Sequence, residues 1–189
     1  CPYKCTFCGA PEFLGKKWRK RTSNKMFDEF YYWYKKGYVS FKFEDSLFSA
    51  DKKRILEFCD LIIEINDSNI RFDIDGARCD HFDMELLSKM KKAGFNTLVF
   101  GVESANEHVL KAFKKGETFE QIESTIALAD QLNFTIGMFF IIGGPDETIE
   151  DVERSFNFAL KYKNTAFAYF FELTPIKGIS YYEYAMQKG

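Results

Sequence analysis

The sequence predicts an α/β domain built on a parallel sheet, and three observations carry that prediction. Stretches with the two-residue alternation of a strand give way to stretches with helical periodicity, and back again, at intervals of about thirty residues. Glycines stand where helices should stop, at Gly37, Gly94 and Gly116. No linker-like composition interrupts the series, so residues 1–189 read as a single domain with parallel strands joined by helical crossovers.

In order, the chain opens with Cys1-Pro2-Tyr3-Lys4-Cys5-Thr6-Phe7-Cys8, which places three thiols in one loop. A helix rich in aromatics follows from Met26 to Lys36. The stretch from Tyr38 to Glu44 alternates, with Val39, Phe41 and Phe43 on one face and Ser40, Lys42 and Glu44 on the other. A helix from Asp51 to Ile65 sets Ile55, Leu56, Phe58, Cys59, Ile62 and Ile63 on a core face. The unit then recurs: strand Ile70 to Asp75, helix Asp83 to Ala93, strand Thr97 to Glu103, helix Asn106 to Lys115. Thr118 and Gln121 form a capping-box pattern that opens a further helix to about Leu132. Strand Thr135 to Ile142, helix Glu147 to Tyr162 and strand Ala166 to Leu173 complete the alternation, and Tyr181 to Met186 is a terminal turn or short helix.

Composition narrows the class. With 46% hydrophobic and 29% charged residues the chain can bury a sizeable core and keep a wetted surface. The longest apolar run, Ile136 to Ile142, is about a third of what a transmembrane helix needs, and no signal segment opens the chain; a cytoplasmic setting without a membrane follows by default. Five cysteines, an odd number clustered at one end, do not suit a disulfide framework and do suit a reducing compartment. The net charge of −2 with no long single-sign run does not point to nucleic acid as a partner. The basic cluster from Lys16 to Arg21 reads either as a solvated loop or as a contact for phosphate or carboxylate. Translation starts with Met, so a chain starting at Cys1 is expected to be a fragment of a longer one.

The spacing Cys1-x-x-x-Cys5-x-x-Cys8 carries the chemistry. A tetrahedral zinc site takes four ligands and usually draws its second pair from another knuckle, whereas an iron-sulfur cube can be held by three thiolates with one iron left open. A zinc knuckle, or three unrelated thiols, is the competing reading. With an aromatic just before the last cysteine, Phe7, the loop resembles the cluster loop of the radical S-adenosylmethionine (radical SAM) enzymes.

That resemblance implies a partial (β/α)6 TIM-like barrel whose first strand lies upstream of Cys1. It implies a 4Fe-4S cluster on Cys1, Cys5 and Cys8, S-adenosyl-L-methionine (SAM) chelating the open iron, and Phe7 near the adenine. Phe43-Glu44-Asp45-Ser46 occupies the place of the family's Gly-Gly-Glu motif and looks like the Asp-Asp-x-Phe version of cobalamin-associated members; Glu44 or Asp45 would accept the methionine ammonium, or Asp45 or Ser46 would cap a helix. Arg78 resembles the Arg beyond the family's third strand and would pair with the SAM carboxylate. Gly101-Val102-Glu103-Ser104 is similar to the Gly-x-Glu-Ser segment whose acid binds the ribose hydroxyls, as a carboxylate accepting two donors can. Ile142-Gly143-Gly144-Pro145-Asp146-Glu147 resembles the adenine-side turn, where Gly143 and Gly144 let backbone approach the base. Leu173-Thr174-Pro175-Ile176-Lys177-Gly178 is similar to the segment after the sixth family strand, and Trp18-Arg19-Lys20-Arg21-Thr22 also resembles the cobalamin-associated group.

In such a barrel the polar face of each strand points into the lumen, which selects Lys42, Glu44, Arg71, Asp73, Asp75, Glu103 and Glu172; each also reads as part of an ion pair in a wet barrel. His81 and His108 lack a metal-ligand partner at helical spacing and read as solvent-facing or capping residues. Cys59 and Cys79 read as small buried hydrophobes. The function implied is reductive cleavage of SAM to a 5′-deoxyadenosyl radical for hydrogen abstraction from an unassigned substrate, with flavodoxin or ferredoxin as electron donor. The alternatives are cobalamin-dependent methyl transfer, with the cobalamin domain upstream, and an iron-sulfur or zinc module that binds without catalysis.

Overall fold

The computed structural model describes residues 1–45 and 47–188, and it is an α/β structure on a five-stranded, all-parallel sheet. The strands are β1 (Ser40–Phe43), β2 (Arg71–Ala77), β3 (Phe95–Glu103), β4 (Thr135–Ile142) and β5 (Thr165–Glu172), and their spatial order is their sequence order. A doubly wound sheet reverses its strand order at a switch point. This sheet does not, so its crossovers all run the same way round and the helices share one face, as in a barrel wall. Among the described residues β1 and β5 each pair on one side only, so the wall is open there. Ser46, offered above as a cap, lies outside the described residues.

The helices are α1 (Ala10–Leu14), α2 (Ser23–Tyr34), α3 (Lys52–Ile65), α4 (Met84–Lys92), α5 (Glu107–Ala112), α6 (Phe119–Gln131), α7 (Ile149–Leu160) and α8 (Ser180–Lys188). Side chains at the entries accept otherwise unpaired backbone N–H groups: Asp51 from Arg54, Asp83 from Leu86, and Thr118 from Gln121, whose own side chain accepts from the Thr118 N–H. Thr148 and Asp151 form the same reciprocal box at α7. After α4 the chain turns through Gly94 at φ 94°, where a Cβ would lie 2.6 Å from the Ile70 carbonyl oxygen.

Phenylalanine dominates the packing between sheet and helices. Phe72 of β2 lies 4.9 Å from Phe95 of β3 and 5.4 Å from Phe30 of α2, and Phe58 of α3 closes the group. At the other end of the sheet Phe140 of β4 stacks on Phe170 of β5 at 4.5 Å, and Phe156 of α7 covers Phe170. Fully burying one such side chain is worth about 1.5–3 kcal/mol before packing is counted.

Several sequence expectations are corrected. Ile63 is exposed rather than core, because the buried stripe of α3 runs through Arg54, Ile55, Phe58, Cys59 and Ile62 and position 63 lies a further 100° round the helix. Helix α5 stops at Ala112, not Lys115: Phe113 caps it and Lys114 turns left-handed at φ 50°. Glu172 does not belong to the lumen face. It pairs in register with Ile142 two positions after the Phe140–Phe170 stack, so it shares the helix-facing phase, and the inward residues of β5 are Phe167, Tyr169 and Phe171. A run apolar on both faces, Phe167 to Phe171, hides its phase from a reading of the sequence.

Gly94→Ala is expected to destabilise the fold by about 1–3 kcal/mol, because it meets both a left-handed backbone and a carbonyl at 2.6 Å, and more than Gly37→Ala, where φ is similar but the space is open. Urea denaturation checks this; equal midpoints for the two variants would contradict it.

Candidate functional site

The cysteine loop has no regular secondary structure and is held by tertiary contacts. The Thr6 N–H donates to the Phe113 carbonyl at 2.9 Å, the Tyr181 N–H donates to the Thr6 carbonyl at 3.0 Å, and the Cys8 N–H turns back to Cys5 at 3.3 Å. Phe7 meets Phe113 edge-to-face at 5.2 Å. Tyr3 is fixed twice: its hydroxyl is 2.8 Å from His81 Nε2, and the guanidinium of Arg78 lies 3.6 Å over its ring. The loop therefore sits at the carboxyl ends of β2 and β3, between α5 and α8, where a parallel α/β fold places its active site.

The three thiols are half-buried and unpaired. Among the described residues no three His, Cys, Asp or Glu side chains converge as metal ligands, so these cysteines share a loop without yet surrounding a point. The donor chemistry nevertheless fits an iron-sulfur cluster with an open iron: three free thiols on one short segment and, among the described residues, no fourth protein ligand grouped with them. Burial pushes the Cys5 thiol up, while the charges of Lys115 and Arg78 pull the other way and favour thiolate. Cys59 and Cys79 are fully buried, and burial drives Cys59 up to about 12 and Cys79 well above its ordinary value.

Beneath the loop lies a buried ionic network. Glu103, the last residue of β3, has a left-handed backbone at φ 65° and is 8% exposed. Its Oε1 accepts from Lys115 Nζ at 2.7 Å, and the same ammonium donates to the Gly101 carbonyl at 2.8 Å. Lys115 also lies 3.4 Å from Glu117 Oε2; Glu117 Oε1 accepts the Asp80 N–H at 3.0 Å. Arg78 forks onto Asp80 through Nε at 3.0 Å and Nη2 at 2.8 Å, donates to the Lys115 carbonyl at 2.8 Å and lies 3.6 Å from Glu117. Burial alone would lower the pKa of Lys115, but the carboxylates of Glu103 and Glu117 outweigh it and keep the ammonium charged. Gly101 is required by this arrangement: a Cβ there would lie 2.6 Å from Glu103 Oε1 and 3.1 Å from Lys115 Nζ.

The remaining residues singled out by sequence fall around this centre. Glu44 is exposed and pairs with Lys42 at 2.9 Å, and Lys42 pairs with Asp75 at 2.8 Å across the β1–β2 edge. Asp45 is exposed beside it and, with Glu44, Lys42, Phe41 and Arg54, lines a cavity of about 550 Å³ at the free edge of β1. Arg78 has its donors committed to Asp80 and Lys115, so its place is under the loop rather than at the rim. Ser104 is fully buried and its Oγ accepts from Asn106, an internal turn. Gly143 and Gly144 both donate to Glu147 Oε2, at 2.7 and 3.1 Å, and the Gly143 carbonyl accepts from Tyr181. The missing side chain of Gly144 is occupied by Phe113, the ring that also touches Phe7.

Sequence reasoning missed Lys115, Glu117, Asp80 and Tyr3, and it read His81 as a solvent-facing or capping residue. His81 instead bridges Tyr3 to Ser49, whose Oγ is 3.2 Å from Nδ1. Nothing local marks Lys115: it is one of several lysines near a helix end, and only the left-handed turn at Lys114 returns it under β3. The lumen face is divided, with Lys42, Asp73 and Asp75 on β1 and β2 and an aromatic wall of Phe139, Phe167, Tyr169 and Phe171 on β4 and β5.

Comparisons with known proteins agree with this layout. A family model described as Radical SAM superfamily matches residues 1–159. An uncharacterized methyltransferase of Pyrococcus horikoshii is 32% identical over 190 residues, covering 98% of this chain and 40% of that one. Cytidylyl-2-hydroxyethylphosphonate methyltransferase of Streptomyces wedmorensis is 28% identical over 216 residues, covering all of this chain and 36% of that one. Among solved structures, the radical SAM methyltransferase TsrM of Kitasatospora setae with cobalamin and a [4Fe-4S] cluster bound superposes with a TM-score of 0.80 at 21% identity, over 91% of this chain and 32% of that one. The chain thus spans about two fifths or less of the curated relatives it matches.

In cluster-free protein, alkylation should label Cys1, Cys5 and Cys8 while Cys59 and Cys79 react on the order of a hundredfold more slowly, since they are reached only through opening of the core. Peptide mapping by mass spectrometry checks this; equal labelling of Cys59 in folded protein would contradict it.

Proposed function

The chain belongs to the radical SAM superfamily, and on that premise we propose that it is the core domain of an enzyme that binds a 4Fe-4S cluster on Cys1, Cys5 and Cys8 and cleaves SAM reductively. When bound, the cluster supplies one electron to the sulfonium of SAM, which breaks into methionine and a 5′-deoxyadenosyl radical. The chain's own residues supply binding and orientation. The observation that carries the reading is the meeting, at the carboxyl ends of β2 and β3, of a three-cysteine loop with a carboxylate held in a strained backbone, Glu103.

In this proposal Glu103 accepts the ribose hydroxyls, Glu44 or Asp45 accepts the methionine ammonium, and Phe7 with the Gly143–Gly144 turn borders the adenine. The partners seen for Arg78 favour a role in fixing Tyr3 and the loop over a contact with the SAM carboxylate. The buried side chain of Ser104 favours shaping the turn after β3. The aromatic wall on β4 and β5 offers an apolar, water-excluding surface to whatever reacts in the lumen. An electron donor of the flavodoxin or ferredoxin kind and a cytoplasmic setting belong to the same proposal.

A second reading, cobalamin-dependent methyl transfer, is favoured by the names of the relatives and by the cobalamin in the TsrM structure. The two separate by products in the full-length protein: methylated substrate with S-adenosylhomocysteine marks methyl transfer, and 5′-deoxyadenosine alone marks hydrogen abstraction.

The proposal is tested by iron and sulfide content and by SAM cleavage under dithionite; one zinc and no sulfide would overturn it. Replacing Cys1, Cys5 or Cys8 with Ala should abolish the visible sulfur-to-iron absorbance, and Cys59→Ala should keep it; cluster retention in two of the three loop variants would contradict the ligand assignment. Glu103→Gln should weaken SAM binding by about tenfold or more, the loss of a charge-assisted hydrogen bond of about 1.5–3 kcal/mol, with the cluster intact. Glu107→Gln on α5 should bind as the parent does. Titration of SAM against the cluster's EPR signal reads both, and parental affinity in Glu103→Gln would make Glu103 a structural acid.

A further inference from the structure

The ion network contains a lysine for which binding of cluster and SAM, as set out above, has no use. Lys115 is 4% exposed, and burying an ammonium costs several kcal/mol unless it is paired and hydrogen-bonded. Its pairing is directed. One bond goes to the Gly101 carbonyl and one to Oε1 of Glu103, while among the described residues no hydrogen bond reaches Oε2 of Glu103. Glu103 itself is held in a left-handed conformation that a non-glycine residue leaves unless its surroundings determine it, and the β3–β4 register slips between Gly101 and Glu103. A second left-handed residue, Lys114, delivers the lysine. Three departures from regular backbone thus converge on one carboxylate, which ends with one oxygen occupied and the other free.

Resting on the assignment of Glu103 to the SAM ribose, we propose that Lys115 is a positioning residue that fixes Glu103 through Oε1 and so presents Oε2 to the ribose diol. A carboxylate oxygen can accept from two hydroxyls, and the bond from Lys115 to Oε1 sets the direction of the lone pairs on Oε2. Glu117, whose Oε2 is buried without a hydrogen bond and 3.4 Å from the ammonium, is the second carboxylate beside the lysine. A lysine that served only as counter-ion to Glu117 would leave SAM binding untouched when the two were removed together.

The test is a double-mutant cycle on the full-length, cluster-reconstituted protein, with SAM affinity read from the change in the cluster's EPR signal. Lys115→Met should weaken SAM binding about three- to tenfold, and adding it to Glu103→Gln should cost less than about twofold more than Glu103→Gln alone, because both act through one bond. Lys111→Met, exposed on α5, should bind as the parent does. If Lys115→Met fails to take up its cluster, Lys115→Met with Glu117→Gln, which removes a buried charge of each sign, takes its place with the same expectations. Parental affinity in the lysine variant, or losses that multiply fully in the double variant, would overturn the proposal. If Glu103→Gln alone binds SAM as the parent does, the ribose assignment itself fails and this inference falls with it, whereas loss in Glu103→Gln without loss in the lysine variant defeats only the role given to Lys115.

Discussion

A carboxylate taken out of water at the end of β3 is the constraint on which the site depends. Glu103 is buried, and a buried charge is tolerated only when it is paired. Lys115 is that partner. Lys115 in turn approaches Glu117, Glu117 receives the Asp80 N–H, and Asp80 holds Arg78, which lies over Tyr3 of the cysteine loop. The loop, the end of β2 and the end of β3 are therefore one electrostatic unit. Breaking a buried pair by removing one partner costs about 3–5 kcal/mol, against about 0–1 kcal/mol for an exposed pair such as Lys161 with Glu123, so this network outweighs every surface ion pair in holding the loop.

The divided lumen follows from the same sheet geometry. Parallel strands in sequence order leave one face for helices and one for the interior, and each inward position then takes the chemistry of its strand. On β1 and β2 that chemistry is charged, with Lys42 shared between Glu44 and Asp75. On β4 and β5 it is aromatic, with Tyr169 56% and Phe171 51% exposed. Under the proposal above, the charged wall faces the zwitterionic end of SAM and the aromatic wall faces whatever reacts in the lumen.

Much of this was legible in the sequence, for a definite reason: the features that were read correctly are local. The alternation of Phe41 and Phe43, the Thr118–Gln121 box and the bounds of β4 each depend on residues within a few positions. Phase failed in β5, where five apolar residues in a row leave periodicity no polar face to count, and Glu172 was placed on the wrong side. The partners of Glu103 were invisible because Lys115 and Glu117 reach it only through a turn at Lys114 and a crossover back under the sheet. Arg78 was located correctly at the end of β2, but its partners were set by Asp80 two residues on and by the backbone of Lys115. Residue types announce that a charge is present; tertiary return decides what it meets.

The central claim is that Glu103, steered by Lys115, is the ribose acceptor of a site organised by the cysteine loop. A crystal structure of the full-length protein with cluster and SAM bound measures this directly. The account predicts Glu103 Oε2 within about 2.5–3.0 Å of a ribose hydroxyl while Lys115 Nζ stays on Oε1. A ribose bound elsewhere, with Glu103 still turned wholly onto Lys115, would contradict it.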